Sequence, residues 1–298
     1  KQLDRYREVL KQVLQVQPAN ARARHQLAGV LLENKQPEEA QEQLEQLAEQ
    51  LLSTLPPADS NLYPVVEQTC RRLFEITGSS EHLHSLGHFY KSIEDFPSAQ
   101  CAYHEALESC PPDRRGLAIQ VCQDLLEVAP GESAVEQRLV DLYIEEDLPK
   151  EALAMMQALL ERCLQQWEMA SREKTLTQGP LVKRILDVSV RLLDLEPESE
   201  VVHQKMADFC TQIGSSDGAV AHWIALSEIY ATRGDKSRAA ETYRAILEVR
   251  PELLEVHVRL AEVLESQGHL DEALQEYLRL GQAFLEQKSK EQAQAAFE

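Results

Sequence analysis

Residues 219–251 read AVAHWIALSEIYATRGDKSRAAETYRAILEVRP. Trp223, Leu226 and Tyr230 stand at i, i+3 and i+7, on one face of a helix. Gly234-Asp235 breaks that helix. A second apolar face follows through Ala239, Tyr243, Ile246 and Leu247. Pro251 stops it, because proline lacks the amide a helix interior needs. The stretch is therefore two amphipathic helices joined by a tight turn.

The spacing W-x2-L-x3-Y, then A-x3-Y, then P resembles the tetratricopeptide repeat, a helix–turn–helix unit of 34 residues. Trp223, Leu226, Tyr230, Ala239, Tyr243 and Pro251 all fall at the family's offsets, and Ser227 replaces its usual glycine. Two helices cross closely only where one presents almost no side chain, which is the task of Ala239. The resemblance implies an all-α fold, a right-handed α-solenoid of such repeats, and a binding scaffold rather than a catalyst.

The same register extends along the chain. Leu27, Leu86, Leu139, Met206 and Leu260 occupy one position in five successive units. An alanine follows each by 13 residues: Ala40, Ala99, Ala152, Ala219 and Ala273. In four of the five a proline precedes by nine: Pro18, Pro130, Pro197 and Pro251. The steps between anchors are 59, 53, 67 and 54 residues rather than 34. A step near 54 predicts three helices per unit. In the fourth unit these are expected near 199–213, 217–232 and 236–249, the middle helix serving two hairpins at once. The expected organisation is one solenoid over 1–298, with a partial unit at 1–18 and units at about 19–78, 79–130, 131–197, 198–251 and 252–298. Ala293 and Phe297 are expected in a third helix of the last unit, so both ends read as interrupted in mid-unit.

Two insertions lengthen the step, near 53–63 (STLPPADSNLY) and near 167–180 (WEMASREKTLTQGP). Both are expected as excursions between middle and third helices, on one side of the solenoid. Such loops either carry binding or are tolerated surface length.

Composition agrees with a folded helical protein. Hydrophobic residues make up 43% and charged residues 27%, with only 11 glycines. The net charge of −20 repels phosphates, so nucleic acid is not an expected partner. It favours a basic partner, or simply keeps the protein soluble. The six cysteines form no C-x2-C pair and are expected as small buried hydrophobes in a reducing, cytoplasmic setting. No apolar run is long enough to insert in a membrane.

No phosphate-binding glycine loop, G-x-S-x-G or H-E-x-x-H occurs, so no enzyme activity and no cofactor are expected. His84 and His88 stand i, i+4 on one helix face and could share a metal ion if a third ligand came from elsewhere. The preferred reading is that both are polar groove residues.

The resemblance also places groove positions two residues either side of each anchor. They are His25 and Gly29, His84 and His88, Gln137 and Asp141, Gln204 and Asp208, and Val258 and Glu262. The doubled middle helix adds Ile224 and Glu228. His25, His84, His88, Arg22 and Lys91 make the N-terminal groove cationic or neutral. Asp141, Asp208, Glu228, Glu262 and Glu265 make the C-terminal groove acidic. A clamp for acidic chaperone tails is not matched. The expected function is a scaffold or adaptor gripping a protein or peptide segment, basic or amphipathic. A regulatory arm of a larger protein and a self-assembly module remain as alternatives.

Overall fold

In the computed structural model, residues 2–53, 60–173 and 178–286 are described. They contain fifteen α-helices, one 3-10 turn at Ser60–Leu62, and no strand. The helices are α1 (Gln2–Val16), α2 (Ala21–Glu33), α3 (Pro37–Leu52), α4 (Tyr63–Thr77), α5 (Glu81–Ser92), α6 (Phe96–Glu108), α7 (Arg115–Val128) and α8 (Ser133–Glu145). They continue as α9 (Pro149–Glu173), α10 (Gln178–Leu195), α11 (Glu200–Gln212), α12 (Ser216–Arg233), α13 (Lys236–Val249), α14 (Leu254–Gln267) and α15 (Leu270–Glu286).

The five anchors lie on α2, α5, α8, α11 and α14, and the five alanines on α3, α6, α9, α12 and α15. All ten side chains are buried. A third helix separates each pair from the next in the first four units; Ala293 and Phe297 lie outside the described residues.

One turn recurs five times. The residue eight after each anchor has positive φ: Lys35, Glu94, Asp147, Gly214 and Gly268. The amide after it reaches back five residues to a helix carbonyl: Gln36 to Leu31, Asp95 to Tyr90, Leu148 to Tyr143, Ser215 to Cys210 and His269 to Leu264, at 2.8–3.0 Å. A left-handed residue there closes the helix and satisfies its last carbonyls. The middle helix then starts at once, and Asp95 caps it by accepting from the Ser98 amide.

Prolines that end third helices are also tied to the next unit. Arg24 Nη2 donates to the Pro18 carbonyl at 2.8 Å, and the ring nitrogens His203 Nε2 and His257 Nε2 lie 3.0 and 3.1 Å from the Pro197 and Pro251 carbonyls. All three residues stand three before their anchors.

The chain divides into two compact units, residues 1–152 and 153–298, the division falling inside α9. In the N-terminal unit the core is assembled from Leu47, Val66, Cys70, Leu86 and Phe89, from Leu10, Leu27 and Ala40, and from Ala28, Leu44 and Leu73. In the C-terminal unit one cluster joins Ala219, Trp223, Leu226, Tyr230, Ala239, Tyr243, Leu260 and Ala273. Trp223, Tyr230 and Tyr243 are thus core residues, as their spacing predicts.

The expected excursion near 167–180 is largely absent. Helix α9 runs on to Glu173 and α10 begins at Gln178; residues 174–177 lie outside the described residues. The physical reason is Trp167, which is buried edge-on against Phe209 at 5.4 Å and donates from Nε1 to Gln212. That contact rewards one extra turn of helix. Of the other insertion, residues 54–59 lie outside the described residues, and Ser60–Leu62 form the 3-10 turn before α4.

Candidate functional site

Three-helix units set a specific geometry. The first helix packs on the middle one, and the third on the middle one's other flank, so first and third helices approach each other across a furrow. Direct packing of α2 on α4 and of α5 on α7 records this in the first two units. In these two units the positions two either side of the anchor turn toward that furrow.

In the first unit His25 is half-buried. Burial, then the Arg72 charge from α4, lowers its pKa. A side chain at Gly29 would meet the same Arg72. In the second unit His84 Nε2 lies 2.8 Å and His88 Nε2 3.4 Å from one oxygen of Asp124 on α7. Lys91 Nζ lies 3.6 Å from the other oxygen and also pairs with Glu127. Below them the Tyr103 hydroxyl on α6 stands 3.3 Å from His88 Nδ1. Burial lowers the His88 pKa, with Asp124 opposing. Of the residues expected in an N-terminal groove, His84, His88 and Lys91 are matched by carboxylates of the third helix, whereas His25 faces the Arg72 charge. Arg22 is exposed, and Asp141 is half-buried on α8.

In the C-terminal unit α11 and α13 flank a cavity of about 590 Å³ floored by α12. Trp223 and Tyr230 form the floor, and Gln204, Lys205, Glu241 and Thr242 lie on the walls. Glu200 ties all three helices. It accepts from Tyr230 at 2.9 Å, Arg238 at 2.6 Å and Arg233 at 3.1 Å. The Arg238 guanidinium lies 5.6 Å from the Tyr230 ring centre. Burial, then Glu200, raises the Tyr230 pKa.

The predicted carboxylates Asp208, Glu228, Glu262 and Glu265 are all exposed. Asp208 borders a small cavity with Glu161, Trp167 and Lys205, whereas Glu228 borders another with Pro197 and Ile229. Gln204 Nε2 donates to Asp208, and Glu265 accepts from Tyr277 across to α15. Asp124 and Glu200, which organise the two furrows, escaped sequence reasoning. Neither belongs to a motif, and their partners stand 30–40 residues away. Cysteines follow expectation only in part. Cys70, Cys122, Cys163 and Cys210 are buried, burial pushing the Cys70 thiol up to about 12, whereas Cys101 is exposed.

Stacked helices with polar furrows over aromatic floors define a helical-repeat scaffold. Tetratricopeptide repeat models match residues 2–63 and 224–282. Both matched stretches are similar to tetratricopeptide repeats, and such repeats point to a protein-interaction scaffold. No curated protein matches it. Solved structures similar to it include Naa15/Naa10 bound to HypK-THB, at 13% identity and a TM-score of 0.25, covering 99% of this chain and 60% of that one. YrrB, a TPR protein with an unusual peptide-binding site, is 12% identical with a TM-score of 0.21, covering 97% and 98%. A putative kinesin light chain with TPR-like repeats from Podosopora anserina is 16% identical with a TM-score of 0.27, covering 78% and 96%. This chain spans less than two thirds of the Naa15/Naa10 chain it matches. Among the described residues no helix is long and apolar enough to cross a membrane.

Proposed function

We propose that this chain is a non-catalytic adaptor, built of three-helix repeat units, whose C-terminal unit holds a basic or amphipathic peptide segment. The observation that carries the reading is the cavity between α11 and α13. It offers an apolar floor of Trp223 and Tyr230 beneath Glu241 and Gln204. An apolar body with a few directional polar groups suits a helical or extended segment. The exposed carboxylates Asp208, Glu228 and Glu262 lie on α11, α12 and α14. They act outside that cavity, by speeding encounter and setting orientation. Nucleic acid is not the expected partner at a net charge of −20. The reducing cytoplasm is the setting that suits its free cysteines.

Fluorescence anisotropy with a panel of lysine-rich amphipathic peptides tests this. The charge reversal Asp208→Lys, Glu228→Lys, Glu262→Lys is expected to weaken binding by at least tenfold while circular dichroism stays unchanged, since all three side chains are exposed. Equal binding by the reversed protein overturns the assignment.

A further inference from the structure

The furrow of the second unit holds a cluster that peptide binding does not use. His84 and His88 project from one face of α5, and Asp124 enters from α7. One donor atom from each lies within 4.8 Å of the other two. Bonds of about 2.0–2.2 Å to a tetrahedral ion would set neighbouring donors roughly 3.3–3.5 Å apart. Of the two contacts to Asp124 Oδ2, the one from His88 at 3.4 Å meets that spacing, and the one from His84 at 2.8 Å is a direct hydrogen bond that an ion would replace and lengthen.

The surroundings also fit. The Tyr103 hydroxyl engages His88 Nδ1 and leaves Nε2 facing Asp124. A metal-bound histidine typically uses its second nitrogen in this way, which fixes the tautomer and the ring. The Tyr103 ring stands edge-on to His88, with centres 5.8 Å apart, and occupies space that only a glycine at Gly87 leaves free. Side-chain exposure is 11% for His84, 19% for Asp124 and 40% for His88, so the site is sheltered yet reachable from the His88 side.

We propose that His84, His88 and Asp124 form a binding site for one divalent first-row transition-metal ion, linking α5 to α7 across α6. Two imidazoles and one carboxylate suit zinc, cobalt, nickel or copper rather than magnesium or calcium. Three protein ligands leave a further coordination position open to solvent. Lys91, 3.6 Å from the second oxygen of Asp124, is a competing positive charge. It holds the affinity to a moderate, exchangeable level.

The test is titration of the tag-free full chain with cobalt(II), read by its visible absorption, and with zinc(II), read by calorimetry. One ion per chain is expected. His88→Gln and Asp124→Asn should each weaken binding at least tenfold. His88→Gln should leave the metal-free melting temperature nearly unchanged, because that side chain is partly exposed. Lys91→Gln should tighten binding several-fold, which a purely structural role for the cluster would not produce. Absence of binding, or binding that His88→Gln and Asp124→Asn leave unchanged, overturns the proposal. So does a thiolate-to-cobalt charge-transfer band, which would place the ion on cysteine.

Discussion

At the scale of single residues, Gly87 shows how one missing side chain organises a neighbourhood. A Cβ there would lie 2.3 Å from Cε1 of Tyr103, a ring with no exposed surface of its own. The ring cannot swing away without displacing α6. Gly87→Ala is therefore expected to destabilise the protein by about 1–3 kcal/mol, the usual cost of overpacking. Urea denaturation measures this. Gly116→Ala on α7, where an added Cβ meets nothing within 4 Å, serves as the control and should be neutral or slightly stabilising. An equal response at the two sites would show that the ring relaxes freely. In the fourth unit Ser227 stands one after Leu226, as Gly87 stands one after Leu86. There the buried hydroxyl turns back to the Ile224 carbonyl at 2.7 Å and so needs no outside partner.

At the scale of elements, the left-handed turn after each first helix carries the repeat. Two units place glycine in it and three place Lys35, Glu94 and Asp147 at φ of 55–60°. A side chain in that conformation costs roughly 1–2 kcal/mol relative to glycine, part of which glycine returns through its greater freedom when unfolded. Lys35→Gly, Glu94→Gly and Asp147→Gly are each expected to raise stability by up to about 1 kcal/mol, and their effects should add because the turns share no partners. Differential scanning calorimetry of the single and triple variants checks both statements. A loss of stability would mean that these side chains make contacts worth more than the strain. The five anchors and five alanines were legible because a large apolar residue and an alanine recur at one offset. The helix boundaries followed: the fourth unit was expected near 199–213, 217–232 and 236–249 and spans Glu200–Gln212, Ser216–Arg233 and Lys236–Val249. The extension of α9 was not legible, since the reward for it is Phe209, more than 40 residues from Trp167.

At the scale of the molecule, the helix pairs that pack on each other among the described residues are mostly neighbours in sequence. Such a chain approximates a one-dimensional array, in which stability is a sum of local terms. It also divides into two compact units. Unfolding is therefore expected to depart from two-state behaviour. Trp223→Ala, which empties the centre of the C-terminal core, should cost about 3–5 kcal/mol there. Only the C-terminal part of the unfolding signal should move to lower denaturant, as read by hydrogen exchange resolved along the chain. A uniform loss of protection over residues 2–286 would show instead that the whole chain unfolds as one cooperative block.

The sequence alone determined the helical class, the register of five anchors and alanines, and the helix limits of the fourth unit. Those depend on periodicity and on turn residues, which are local. The tertiary structure alone decided what faces what. Asp124 meets His84 and His88, and Glu200 gathers Tyr230, Arg233 and Arg238, because a third helix folds back across a middle one. It also set Asp208 and Glu228 at different cavities. A position on a helix face is set by 3.6 residues per turn, whereas the partner across a furrow is set by how rods stack. That stacking depends on side-chain volumes far apart in sequence, and no short spacing encodes it.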